Sequence, residues 1–121
     1  MTGDPAGWRS KEVFDRSLYD LLDEETGGAG PEIVATVLSV AGPRKLAMLE
    51  AARTGNAQDL SRVAHTAKSG ARSVGLLRLS AFCDMIEHLP QGKPGDLAAL
   101  CPDIEREFDQ SIAVLQQLQQ E

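Results

Sequence analysis

Strand signals are scarce in this chain: no Asn-Gly or Asp-Gly pair marks a hairpin, and no segment alternates β-branched and aromatic residues with period two. A sheet is not expected. Aromatic residues are few, with one Trp, one Tyr and three Phe, which leaves little surface for stacking bases or sugars. The longest unbroken apolar run, Leu97 to Cys101, is five residues, far below the ~20 needed to span a bilayer as a helix. No membrane contact is expected. The first residues, Met1 to Trp8, have neither a basic start nor an apolar stretch, so they do not resemble a signal peptide and a cytoplasmic address is expected. The two cysteines, Cys83 and Cys101, form no C-x-x-C pair, and with two histidines they do not complete a zinc ligand set by spacing. Both are expected as small buried hydrophobes, with no metal bound. An excess of positive charge is also missing. The net charge of −6 cannot drive counter-ion release from a phosphate backbone, so nucleic acid is not an expected partner.

What remains is an ordinary globular composition, 42% hydrophobic and 25% charged over 121 residues, enough for one domain with a core of its own. Residues 1–10 are expected as a tail and 11–121 as a single helical domain. A short amphipathic segment from about Lys11 to Glu24 carries Phe14, Leu18, Leu21 and Leu22 at helical spacing and stops at Gly27-Gly28-Ala29-Gly30. Pro31 and Glu32 suit a first helical turn. The helix they open runs to about Arg53 and is interrupted by Gly42-Pro43, which implies either one kinked helix or two stacked ones. After Thr54-Gly55-Asn56 a third segment spans about Ala57 to Val74. A fourth starts near Leu76 and ends before Pro90. Gln91 to Gly95 has loop composition, and a last helix is expected from about Asp96 to Gln119, bent by Pro102. The expected fold is all-α, an antiparallel four-helix bundle with a short additional N-terminal helix across one end.

The third segment carries the chemistry. At about 100° per residue, Leu60, Val63, Ala64, Ala67, Ala71 and Val74 fall in one wedge, while His65 lies roughly 150° from its centre and should face solvent. Ser61, Lys68, Ser69 and Arg72 share the outward face, with Arg62 at its margin. Between Gln58 and Leu79 the charges are Arg62, Lys68, Arg72 and Arg78 against Asp59 alone. An exposed neutral imidazole in such a basic island is a nucleophile able to carry a phosphoryl group on nitrogen. Lys68, three residues along the same face, is placed to offset the charge of that group. The other imidazole, His88, forms an i,i+4 pair with Asp84 and is expected as a cation favourably placed near a helix C-terminus, not as a metal ligand.

The segment His65-Thr66-Ala67-Lys68-Ser69-Gly70-Ala71-Arg72-Ser73-Val74-Gly75 resembles the signature of histidine-containing phosphotransfer (HPt) domains: His, Lys three positions on, small residues, then an aliphatic-Gly pair. Ala64 before the histidine, Leu79, and the Cys83 to Glu87 spacing with Ile86 in a usual leucine position extend the likeness. So do the Pro43-Arg44-Lys45-Leu46 segment and the Gly55-Asn56 turn. The similarity runs from about Lys11 to Gln119. The chain departs from the pattern at Ser69, where the family commonly has Gly, and at Ala67, where it commonly has Leu.

The resemblance implies a phosphoryl carrier of a multistep two-component phosphorelay, with His65 as phosphoacceptor, Lys68 as charge stabiliser and Glu87 orienting the ring from the following helix. Ser61, Arg62, Ser69, Gly70 and Arg72 would form the partner-binding face. Such a domain has no kinase activity or nucleotide site of its own and needs no cofactor, Mg²⁺ being held by the partner. The implied partners are receiver domains of response regulators or of hybrid histidine kinases, met by a monomer. Three other readings fit the same residues: a receiver-docking adaptor that carries no phosphate, a plain helical adaptor, and the phosphoacceptor domain of a chemotaxis-type histidine kinase. The last would require a kinase module beyond Glu121.

Overall fold

The computed structural model describes residues 7–89 and 94–121. A 3-10 turn at Gly7–Ser10 is followed by α1 (Arg16–Glu25), α2 (Gly30–Arg53), α3 (Ala57–Ser73), α4 (Leu77–Glu87), α5 (Pro94–Ala98) and α6 (Cys101–Gln119). Helices α2, α3, α4 and α6 form the antiparallel four-helix bundle: α3 packs between α2 and α4, and α6 closes the ring against both of them. The short α1 leans on α2, and α5 caps the other end beside α2. Among the described residues there is no strand, and no helix is long and apolar enough to cross a membrane.

Local sequence explains the helix starts. Asp15 caps α1 by accepting the N–H groups of Ser17 and Leu18, and Asn56 caps α3 by accepting the Asp59 N–H at 3.0 Å. The core fills with Phe82, Phe108, Met48, Leu60, Leu76, Ile104 and Leu115, all fully buried. The expected stripe of α3 is buried throughout, from Leu60, Val63 and Ala64 to Ala67, Ala71 and Val74.

Of the two readings left open for α2, the single helix holds: it runs on through Pro43. Proline deprives the Ser39 carbonyl of its helical donor, but packing of α2 against both α3 and α6 holds the helix together across the gap. Other expectations change. The last helix is in fact two. A turn at Ala99-Leu100 separates α5 from α6, and Pro102 lies in the first turn of α6, where no N–H is needed, so it starts this helix instead of bending it. Pro94 and Gly95, expected in a loop, belong to α5; Pro90 and the rest of that loop, Gln91 to Lys93, lie outside the described residues. At the N-terminus the helix begins at Arg16, not Lys11, and the stretch expected as a tail ends in the 3-10 turn whose Trp8 joins the core, edge-on to Phe82 with ring centroids 4.7 Å apart. Of the two cysteines, Cys83 is fully buried, with its thiol pushed up to about 12 by desolvation, whereas Cys101 is only half-buried.

Candidate functional site

His65 projects from the middle of α3 on the side away from the core, and 63% of its side chain is exposed. Its Nδ1 lies 2.7 Å from Glu87 Oε2, at the C-terminal end of the neighbouring α4. Glu87 is 18% exposed and is tied in place twice more: its Oε1 accepts from Lys68 Nζ at 2.7 Å, and its main-chain carbonyl accepts from Ser61 Oγ at 3.1 Å. The Lys68 ammonium, and next the His65 ring, hold the Glu87 carboxyl below the ordinary carboxylate range, against the opposing effect of burial. Glu87 is thus an anion at neutral pH and can only accept a hydrogen bond. His65 must therefore donate from Nδ1. In the neutral ring the lone pair then resides on Nε2, facing water.

Lys68 is 16% exposed and is shared between two carboxylates, with Asp84 Oδ1 at 3.2 Å as the second. Those hydrogen bonds, Glu87 first, raise the Lys68 ammonium above its usual range. The ammonium rests on α4, so its first effect is to fix and ionise the carboxylate that orients His65. Sequence spacing predicted Lys68 beside the ring but missed this route through Glu87 and Asp84.

The basic island is largely neutralised by the fold. Arg62 is exposed but pairs with Asp59, one turn earlier, at 3.0 Å. Arg78 turns away from His65 altogether: its guanidinium grips Glu107 of α6 at 2.8 Å and covers the Trp8 ring. Glu107 is 1% exposed and also meets Arg106. Nothing in the local pattern of α4 identifies this partner, because it depends on the register of α6. Arg72 is exposed with no carboxylate partner among the described residues.

On the other flank of His65, α2 and α3 enclose an open groove of about 530 Å³ lined by Ile33, Val37, Val40 and Arg44 from one helix and His65, Ser69 and Gly70 from the other. Ser69 is exposed, its hydroxyl directed at the His65 main-chain oxygen at a marginal 3.5 Å. Gly70 leaves room for Arg44: a Cβ there would lie 3.1 Å from Arg44 Nη1. Arg44 has no carboxylate partner among the described residues, a feature that sequence spacing did not single out.

His88 ends α4 and donates from Nδ1 to the Asp84 main-chain carbonyl at 2.8 Å. Ligand atoms of Asp84, Glu87 and His88 come within 4.8 Å of one another, but the Lys68 ammonium already occupies both carboxylates and opposes a dication there. The cluster is an ion-pair network.

The pattern of the Hpt domain family matches residues 32–121. Among solved structures, the chain is similar to histidine-containing phosphotransfer protein B (HptB) from Pseudomonas aeruginosa PAO1, with 26% sequence identity, a TM-score of 0.79, and coverage of 92% of this chain and 97% of that one. No curated protein sequence matches. With the family pattern covering most of the chain and the bundle of a phosphotransfer protein reproduced along nearly its whole length, this protein belongs to the Hpt domain family, the histidine phosphotransfer carriers of phosphorelays.

Proposed function

We propose that His65 is the phosphoacceptor and that Nε2 is the atom that carries the phosphoryl group. One observation carries this reading: the Glu87 carboxylate occupies Nδ1 at 2.7 Å and leaves the nucleophilic nitrogen in water on a side chain 63% exposed. Transfer breaks the P–O bond of a receiver's aspartyl phosphate, leaves the electron pair on the aspartate, and forms a P–N bond at Nε2. The Nδ1 proton stays on the ring, and Glu87 faces the positive charge that develops there. Lys68 is a positioning residue, acting through Glu87.

The docking face comprises Ser69, Gly70 and Arg72 with the α2/α3 groove, and Arg62 at its edge. Ser61 serves it indirectly by tethering Glu87. Arg44, lining the groove without a carboxylate partner among the described residues, adds a contact for an acidic partner surface. The partners are receiver domains of response regulators or hybrid kinases, met in the cytoplasm by a monomer. Mg²⁺ belongs to the receiver. The protein is a carrier and brings neither kinase activity nor a nucleotide site.

Incubation with a phosphorylated receiver domain should place acid-labile, alkali-stable label on the chain. His65→Gln should abolish it, and Glu87→Gln should slow it by about tenfold or more, the usual cost of losing an orienting carboxylate. Label that persists in His65→Gln rejects the assignment, and labelling by ATP alone rejects the carrier reading.

A further inference from the structure

Asp84 lies on the exposed side of α4, one turn before Glu87, and makes no hydrogen bond to the His65 ring. Its Oδ1 nevertheless takes a share of Lys68 Nζ, 3.2 Å away, while Glu87 Oε1 takes the other at 2.7 Å. His88 is a weaker partner: that ring donates its Nδ1–H to the Asp84 main-chain carbonyl at 2.8 Å and lies 3.4 Å from the carboxylate, an ion pair only when the ring is protonated. Next to the acceptor histidine there are thus two carboxylates for one ammonium, although orienting the ring requires only Glu87. A phosphoryl group on Nε2 adds nearly two more negative charges. The ammonium best placed to offset them is held back on α4.

We propose that Asp84 sets the equilibrium of phosphoryl exchange at His65, keeping the phosphohistidine a ready donor by retaining Lys68 on α4 and adding an uncompensated negative charge beside the site. The inference rests on His65 being the acceptor. Asp84 takes part in no bond making. The P–O bond at the receiver and the P–N bond at Nε2 exchange as described above, and Asp84 alters only the relative free energies of the two phosphorylated states. Its two effects have the same sign. Without its charge, Lys68 is freer to approach the phosphoryl oxygens and the local repulsion falls, so phosphate should accumulate on the carrier. At a partly exposed site, a single charge of this kind is worth roughly a fivefold change in equilibrium constant.

The test uses the full chain with an isolated response-regulator receiver domain charged by acetyl phosphate, chosen because it labels the wild type. The ratio of phosphorylated carrier to phosphorylated receiver is measured at equilibrium from both directions. Asp84→Asn, which keeps the size and an acceptor oxygen, should raise that ratio about fivefold; Asp84→Glu should restore it, and added salt should shrink the difference. A merely structural role would change the helical circular dichroism signal or both rates together and leave the ratio alone. An unchanged ratio in Asp84→Asn, or a shift toward the receiver, overturns the proposal. Failure of every receiver tried to label even the wild type overturns the acceptor assignment instead, and this proposal falls with it.

Discussion

At the scale of single residues, one neighbour decides what His65 can do. An imidazole has two nearly equivalent nitrogens, and the carboxylate on Nδ1 is what leaves the lone pair of the neutral ring on Nε2. Glu87 and Lys68 also leave a signature in stability. The folded Glu87 carboxyl titrates below its ordinary 4.5, first because of Lys68, so its contribution is complete above that value and disappears as pH falls through the folded one. Lys68 titrates above its ordinary 10.5, first because of Glu87, so its share is complete below that value and disappears as pH rises through the folded one. Lys68→Met should therefore be less stable than the wild type in urea melts at pH 7, and the gap should narrow as pH drops below 4.5. A gap of constant size would assign the loss to packing of the lysine stem instead.

At the scale of elements, the joints are set by a few backbone requirements. The turn between α3 and α4 needs Gly75 at φ 86°, and the space beside it is taken: a Cβ there would lie 2.7 Å from the Asp15 main-chain oxygen, and the Asp15 N–H donates to the Gly75 carbonyl at 2.8 Å. Gly75 is therefore where the start of α1 is pinned to the far end of the helix that bears His65. Gly75→Ala should cost about 2 kcal/mol or more by thermal or urea unfolding, from left-handed strain plus the clash with backbone. A loss of a few tenths would show that the α1 strap yields. Helix α2 makes the complementary point. A proline at position 43 costs the helix about 3 kcal/mol in isolation, yet the neighbours on both sides keep it whole. Local punctuation read from sequence therefore cannot by itself choose between one helix and two where tertiary contacts straddle the proline.

At the scale of the whole molecule, the most expensive charge is Glu107, at 1% exposure in the bundle interior. Arg78 reaches it from α4 with two hydrogen bonds, and the same guanidinium lies over Trp8, 5.4 Å from the ring centroid, so the 3-10 turn, α4 and α6 meet at one point. Arg78→Leu should cost about 3 kcal/mol, because it leaves a buried carboxylate with only Arg106 for company. Arg78→Leu combined with Glu107→Leu should recover most of that loss, measured by urea melts followed at the helical circular dichroism band. A double variant no more stable than the single one would show that the pair contributes net stability.

The sequence alone determined what depends on neighbours along one helix: the buried stripe of α3 from Leu60 to Val74 and the outward direction of His65. Those follow from a fixed 100° step, so the residues of a single helix suffice to predict them. The Glu87 contact was legible only through the spacing of a family signature, since 22 residues separate it from His65. Where the cations go was decided by the tertiary structure. Arg78 counts toward the basic stretch around His65 by sequence and is spent on Glu107, Lys68 is divided between Glu87 and Asp84, and Arg44 rests against Gly70. A long charged side chain can reach several carboxylates, and which one it finds depends on how the helices are placed against each other, a quantity no single helix contains.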